Sequence, residues 1–142
     1  MPARADFYLI QKPRFRAEPL LLVCELARKA CDANLPTLVL ARDATQAEQL
    51  DDLLWSFEPD AFIPHQIAGR EDDEEEAIVL IATPDTDTPL RPLVINLRDD
   101  PVDGVFDRVL EVVPADDSAR GPLRERWTQY KARGLELKKH DM

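Results

Sequence analysis

Glycine is scarce in this chain: four occur in 142 residues, at positions 69, 104, 121 and 134. Loops that cradle phosphate need several glycines, so that backbone amides can approach the ligand. None of the four follows the first or second apolar run, so both GxGxxG and the P-loop are absent. Cysteine is scarcer. Cys24 and Cys31 fall in one helical pattern, about 10 Å apart along its axis, too far for a disulfide. There is no CxxC, and His65 and His140 are distant in sequence, so no metal-ligand spacing exists and no cofactor is implied. Ser56 and Ser118 are the only serines, and neither lies in a GxSxG turn. Long apolar runs are missing too. Nothing approaches the roughly 20 residues needed to cross a bilayer, and the start of the chain has no signal-like apolar region, so a cytoplasmic protein is expected.

What remains is a soluble composition, 44% hydrophobic and 32% charged. The length fits one domain, residues 1–142, able to bury about two thirds of its unfolded surface. The net charge of −10 hides an asymmetry. Residues 1–42 carry seven Lys/Arg against four Asp/Glu, residues 43–117 four against 21, and residues 118–142 seven against three. An acidic body repels phosphates and opposes sequence-independent nucleic-acid binding. A basic end on that body suits a smaller anionic partner.

Phe7 to Ile10 reads as a buried strand, and Pro19 opens a helix with Leu20, Cys24, Ala27 and Cys31 on one face. Thr37 to Leu40 reads as a second strand. Asp43, with Gln46 three residues on, caps a second helix whose stripe is Ala47, Leu50, Leu54 and Phe57. Ile78–Ala82, Leu93–Leu97 and Val109–Val113 read as further strands. Pro84, Pro89 and Pro92 leave no room for a helix between the first two of these, so part of the sheet is expected to be antiparallel or loop-linked. The fold expected is α/β: one domain with a mostly parallel central sheet flanked by helices, Rossmann-like but without the phosphate-binding glycine loop. Six consecutive acids, Glu71 to Glu76, read as a solvated loop. Ser118 begins a last helix that Gly134 ends, and residues 135–142 are expected to be a flexible tail.

Few residues offer catalysis. His65, after Phe62, Ile63 and Pro64, is the one group able to act as acid or base near neutrality, and a structural role fits it as well. Cys24 lies on an apolar face, unlike a reactive thiol. With 28 carboxylates, coincidental acid pairs carry no weight. No catalytic residue is assigned.

Two surface constellations stand out. Trp55 lies about 120° from the centre of its helix's apolar stripe, on the side of Glu48, Asp51 and Asp52. With Phe57, Phe62, Ile63 and Pro64 it could form an exposed interface patch, or be covered by the loop that follows. In the last helix Leu123, Trp127 and Tyr130 form a stripe, with Arg124 and Lys131 on one flank and Arg126 and Arg133 on the other. Such a surface can hold a peptide ending in acids and an apolar residue. An ordinary amphipathic helix, burying the stripe against the sheet, would look the same.

The chain resembles the chi subunit family of bacterial DNA polymerase III along nearly its whole length. The likeness rests on Phe7-Tyr8-Leu9, Val23-Cys24-Glu25, Leu53-Leu54-Trp55 and Phe62-Ile63-Pro64-His65 with Ala68-Gly69. It continues in Val112-Val113-Pro114, Asp117-Ser118, Arg124-Glu125-Arg126-Trp127, Tyr130-Lys131 and Gly134, in order and spacing. The resemblance implies a non-catalytic adaptor that contacts DNA only indirectly. Its two partners would be the psi subunit, which tethers it to the clamp loader, and the acidic C-terminal tail of single-stranded DNA-binding protein. It puts Trp55, Phe62, Ile63 and Pro64 on the psi side, and Val113, Arg124, Trp127, Thr128 and Gly134 at the tail. The family commonly has tyrosine then lysine where this chain has Trp127-Thr128, so a cation is missing at 128; Lys131, on the flank of Arg124, could substitute. The acidic run at 71–76 is also unlike the family. The alternatives are a nucleotide-binding α/β enzyme, or a protein stacking single-stranded DNA on Trp127 and Tyr130.

Overall fold

In a computed structural model, which describes residues 3–57, 63–69 and 77–142, the chain forms a seven-stranded sheet with helices on both faces. The strands are β1 (Arg4–Leu9), β2 (Thr37–Leu40), β3 (His65–Ile67), β4 (Val79–Ala82), β5 (Leu93–Asn96), β6 (Arg108–Val113) and β7 (Glu136–Asp141). Their order across the sheet is β3-β4-β2-β5-β6-β1-β7, and every pairing is parallel. The antiparallel alternative for the later strands is thereby overturned. The proline-bearing segment 83–92 returns as an extended loop: ten residues can span about 33 Å, enough to recross a four-residue strand and its neighbour without a helix.

The helices are α1 (Pro13–Ala17), α2 (Leu20–Asp32), α3 (Ala44–Ser56) and α4 (Arg120–Ala132). A sheet of parallel strands must be covered on both faces, which is why β4 and β5 are buried at every position. On one face Val23, Ala27 and Ala30 of α2 and Ala47, Leu50 and Leu54 of α3 pack on Tyr8, Val39, Ile81 and Val112. The buried face of α2 takes in Leu22, Val23 and Leu26, while Leu20 and Cys31 are only partly buried, so its centre is displaced from the stripe read in the sequence. On the other face α4 sets Tyr130 against Phe7, Val94 and Val109. Beyond the reach of α4, Leu90 of the 83–92 loop packs on Leu38, Leu80 and Ala82 instead.

Local signals set the element ends. Asp43 accepts a hydrogen bond from the Gln46 amide at 2.7 Å, and the Gln46 side chain accepts one from the Arg42 amide at 2.8 Å, closing the start of α3 reciprocally. At the end of α4 the Gly134 amide donates to the Lys131 carbonyl and the Leu135 amide to Tyr130, with Gly134 at φ +85°. This is a Schellman closure, and it reverses the chain.

That reversal corrects the expected tail. Residues 136–141 run as β7 beside β1, from Arg4↔Glu136 to Leu9↔Asp141, and the Met142 amide donates to the Leu9 carbonyl. The sequence Glu-Leu-Lys-Lys-His-Asp lacks the apolar alternation of a half-buried strand, because β7 is an edge strand held mainly by backbone bonds. His140 also anchors it, 2.9 Å from the Asp6 carboxylate and stacked 4.6 Å from the Tyr8 ring. Glu71 to Glu76 lie outside the described residues.

Candidate functional site

The groove between α4 and β1 is built from alternate residues of one strand and one face of one helix. Phe7 and Leu9 point to the α4 side of β1 and form its floor. Leu123, Arg124, Trp127 and Thr128, spaced to share a helix face, form one wall, and Lys139 of β7 stands on the other. The hollow holds about 510 Å³. The Trp127 ring is half-buried, 5.1 Å from Phe7 and tilted by 50°. The part of the ring left exposed in the groove gives an apolar side chain a surface to rest on.

The aromatic stripe of α4 is therefore divided. Tyr130 is wholly buried: its hydroxyl donates to Glu111 at 2.7 Å and accepts from the Val102 amide at 2.8 Å. Trp127 and Leu123 stay at the surface, where a ligand could reach them. The flanking cations divide as well. Arg126, placed at the surface by helical spacing, is buried against Glu111 at 2.8 Å and donates to the Asp99 carbonyl. Its Nε–H is poorly aimed at the carboxylate, so that contact is an ion pair more than a hydrogen bond. Asn96 donates to both Glu111 oxygens. Burial pushes Glu111 up to about 7 against the opposing pull of Arg126, Asn96 and Tyr130. The same burial, with the neighbouring Glu111 charge, raises the Tyr130 hydroxyl far above its usual range. This network fixes α4 to β6 and makes Tyr130 and Arg126 structural. Arg133 pairs with Asp103 at 2.8 Å and donates to the Val102 carbonyl.

Arg124 and Lys139 differ from these. Among the described residues neither has an ion-pair partner, and both are exposed at the groove's lip. Of the positions expected at an acidic tail, the groove brings together Arg124, Trp127 and Thr128. Val113 is buried behind it and lines an adjoining hollow of about 300 Å³ that shares Leu9 and Leu123. Lys131 is exposed but outside the groove lining. Gly134 does not line it either; it makes the turn that returns β7. Lys139 was invisible to helical spacing because it arrives on a strand.

The second constellation is less unified. Trp55 is 59% exposed on α3, the first of the two alternatives its off-stripe position left open, with its ring 4.8 Å from that of His65. Ile63 is 2% exposed and belongs to the main core, while Pro64 is half-buried. Phe62 lies outside the described residues. The His65 ring nitrogens approach the carbonyl oxygens of Ile63 at 2.6 Å and Asp51 at 3.2 Å, so this histidine ties β3 to α3.

No group of three or more His, Cys, Asp or Glu among the described residues is placed to hold a metal. No helix among them is long and apolar enough to cross a membrane. Cys24 is buried, and burial pushes its thiol up to about 12.

The family described as "DNA polymerase III chi subunit, HolC" matches residues 1–138. The chain is 33% identical over 139 residues to the DNA polymerase III subunit chi of Pseudomonas aeruginosa, covering 96% of this chain and 95% of that protein. It is 34% identical over 119 residues to the subunit of the same name from Escherichia coli, with 82% and 80% covered. The Haemophilus influenzae subunit is 26% identical over 140 residues, 96% of each chain.

Proposed function

Since the chain belongs to the DNA polymerase III chi subunit family, we propose that it is a non-catalytic accessory subunit that links the clamp loader, through psi, to the acidic C-terminal tail of single-stranded DNA-binding protein. The observation that carries the tail contact is the groove itself: an apolar floor under a half-buried Trp127, with Arg124, which has no ion-pair partner among the described residues, at its lip. An acidic chain end can rest its last side chain on Trp127 while the guanidinium pairs with a carboxylate. The psi contact is supported by the exposed Trp55, a residue type that anchors protein interfaces.

Binding to DNA is then indirect. The chain carries −10 overall, and of the two aromatics that base stacking would require, Trp127 and Tyr130, the second is wholly buried. Titrating the protein with single-stranded DNA-binding protein, intact and lacking its acidic tail, tests this reading. Binding should vanish with the tail. Binding to bare oligonucleotide with a steep salt dependence would replace it with direct DNA recognition.

A further inference from the structure

We infer that Lys139, on the C-terminal edge strand, is the second cation of the tail site and fills the role left empty at Thr128. This rests on the tail-binding reading above and names the residue that completes it.

The observations are positional. Lys139 is the register partner of Phe7, the floor residue against which Trp127 packs. Side chains at paired positions of adjacent strands share a face, so Lys139 rises on the α4 side of the sheet beside the groove floor. Thr128 lies one turn on from Arg124 on the helix wall, and its hydroxyl brings no charge. The groove thus has Arg124 on the helix side and Lys139 on the strand side. An acidic chain end carries carboxylates on its side chains and at its terminus, and cations on both walls can hold two of them at once.

The neighbouring charges allow it. Asp141 shares the face of Lys139 one pleat further on, opposite Leu9, and accepts a hydrogen bond from the Gln11 side chain at 3.2 Å. Lys138 and His140 belong to the opposite face, where His140 is engaged by Asp6. Lys139 has no ion-pair partner among the described residues, in contrast to Arg126 and Arg133 of α4. The device depends on β7 being paired to β1; a frayed tail could not hold a lysine at this place.

The test is a charge relocation. The full-length protein is titrated with a fluorescein-labelled peptide ending in a run of aspartates closed by phenylalanine, over a range of salt. Lys139→Thr should weaken binding about tenfold and flatten its salt dependence. Thr128→Lys added to Lys139→Thr should restore affinity, and Lys139→Arg should preserve it. Thermal melts of each variant report whether β7 remains in place. Wild-type affinity in Lys139→Thr, with binding lost in Arg124→Ala, would overturn the assignment and leave the tail site standing. Failure of Thr128→Lys to restore the lost affinity would overturn it too. If neither Lys139→Thr nor Arg124→Ala changes binding, the tail reading itself fails.

Discussion

The side chains of Phe7 and Trp127 meet at 5.1 Å, and around that contact the first strand, the last helix and the edge strand make one groove. Trp127 is held against Phe7 and remains half-exposed in that groove. Trp127→Ala removes the anchor without touching the Glu111 network, so binding of an acidic tail peptide should lose about 1–3 kcal/mol, measured well below a melting temperature that falls because Phe7 loses its cover. Isothermal titration at fixed salt measures it, and an unchanged dissociation constant would exclude Trp127 from the site.

Trp55 and Trp127 lie on opposite faces of the sheet, one on α3 and the other on α4. Their roles should therefore separate. Trp55→Ala is expected to abolish co-purification with psi and leave tail-peptide affinity as it was. Trp127→Ala should do the reverse, and co-expression followed by size-exclusion chromatography reads both. Loss of both partners in either variant would indicate unfolding instead of a shared site, which far-ultraviolet circular dichroism would reveal.

Two buried carboxylates give the stability opposite pH dependences. Burial alone would raise Asp6, but hydrogen bonds from His140, Arg4 and Arg108 outweigh it and hold the carboxyl below its ordinary value. Its contribution is present above the unfolded value and is lost as pH falls through the lower, folded one. Glu111 is the reverse: pushed up to about 7 by burial, it contributes fully below the ordinary glutamate value of 4.5, and that contribution is lost as pH rises through about 7. Urea denaturation across pH should show Asp6→Asn flattening the acid side of the profile. Glu111→Gln should flatten the decline on the neutral side. Unaltered slopes would show that neither group changes its proton affinity on folding.

Gly134 tests the turn that makes β7. A Cβ there meets nothing within 4 Å, so the cost of Gly134→Ala is the positive φ of +85° alone, about 1–2 kcal/mol by equilibrium denaturation. A substitution without cost would mean that the reversal is set elsewhere.

The sequence was most legible where one physical signal decided the outcome. Asp43 with Gln46 marked the start of α3, and Gly134 marked the end of α4. The off-stripe position of Trp55 took it out of the helix's core stripe but left open whether the following loop covers it; it is 59% exposed. Apolar runs located five of the seven strands. The two that were missed, β3 and β7, lie at the sheet's edges, where backbone pairing suffices and side-chain patterning is weak. Helical spacing placed Arg126 among the surface cations because it cannot foresee Glu111, a buried acid on another element, as the partner. For the same reason it offered Lys131 as the substitute for the missing cation, while the groove is lined by Lys139, brought in by the fold.

The chain contains two tryptophans, and their indole N–H signals report the two surfaces separately. A two-dimensional nitrogen–proton correlation spectrum recorded while an acidic C-terminal peptide is added tests whether this peptide docks between α4 and β1. The Trp127 indole signal and the amides of Arg124, Thr128 and Lys139 should shift with one dissociation constant while the Trp55 indole stays still. Shifts centred on Trp55, or a saturating peptide that moves neither indole, would contradict it.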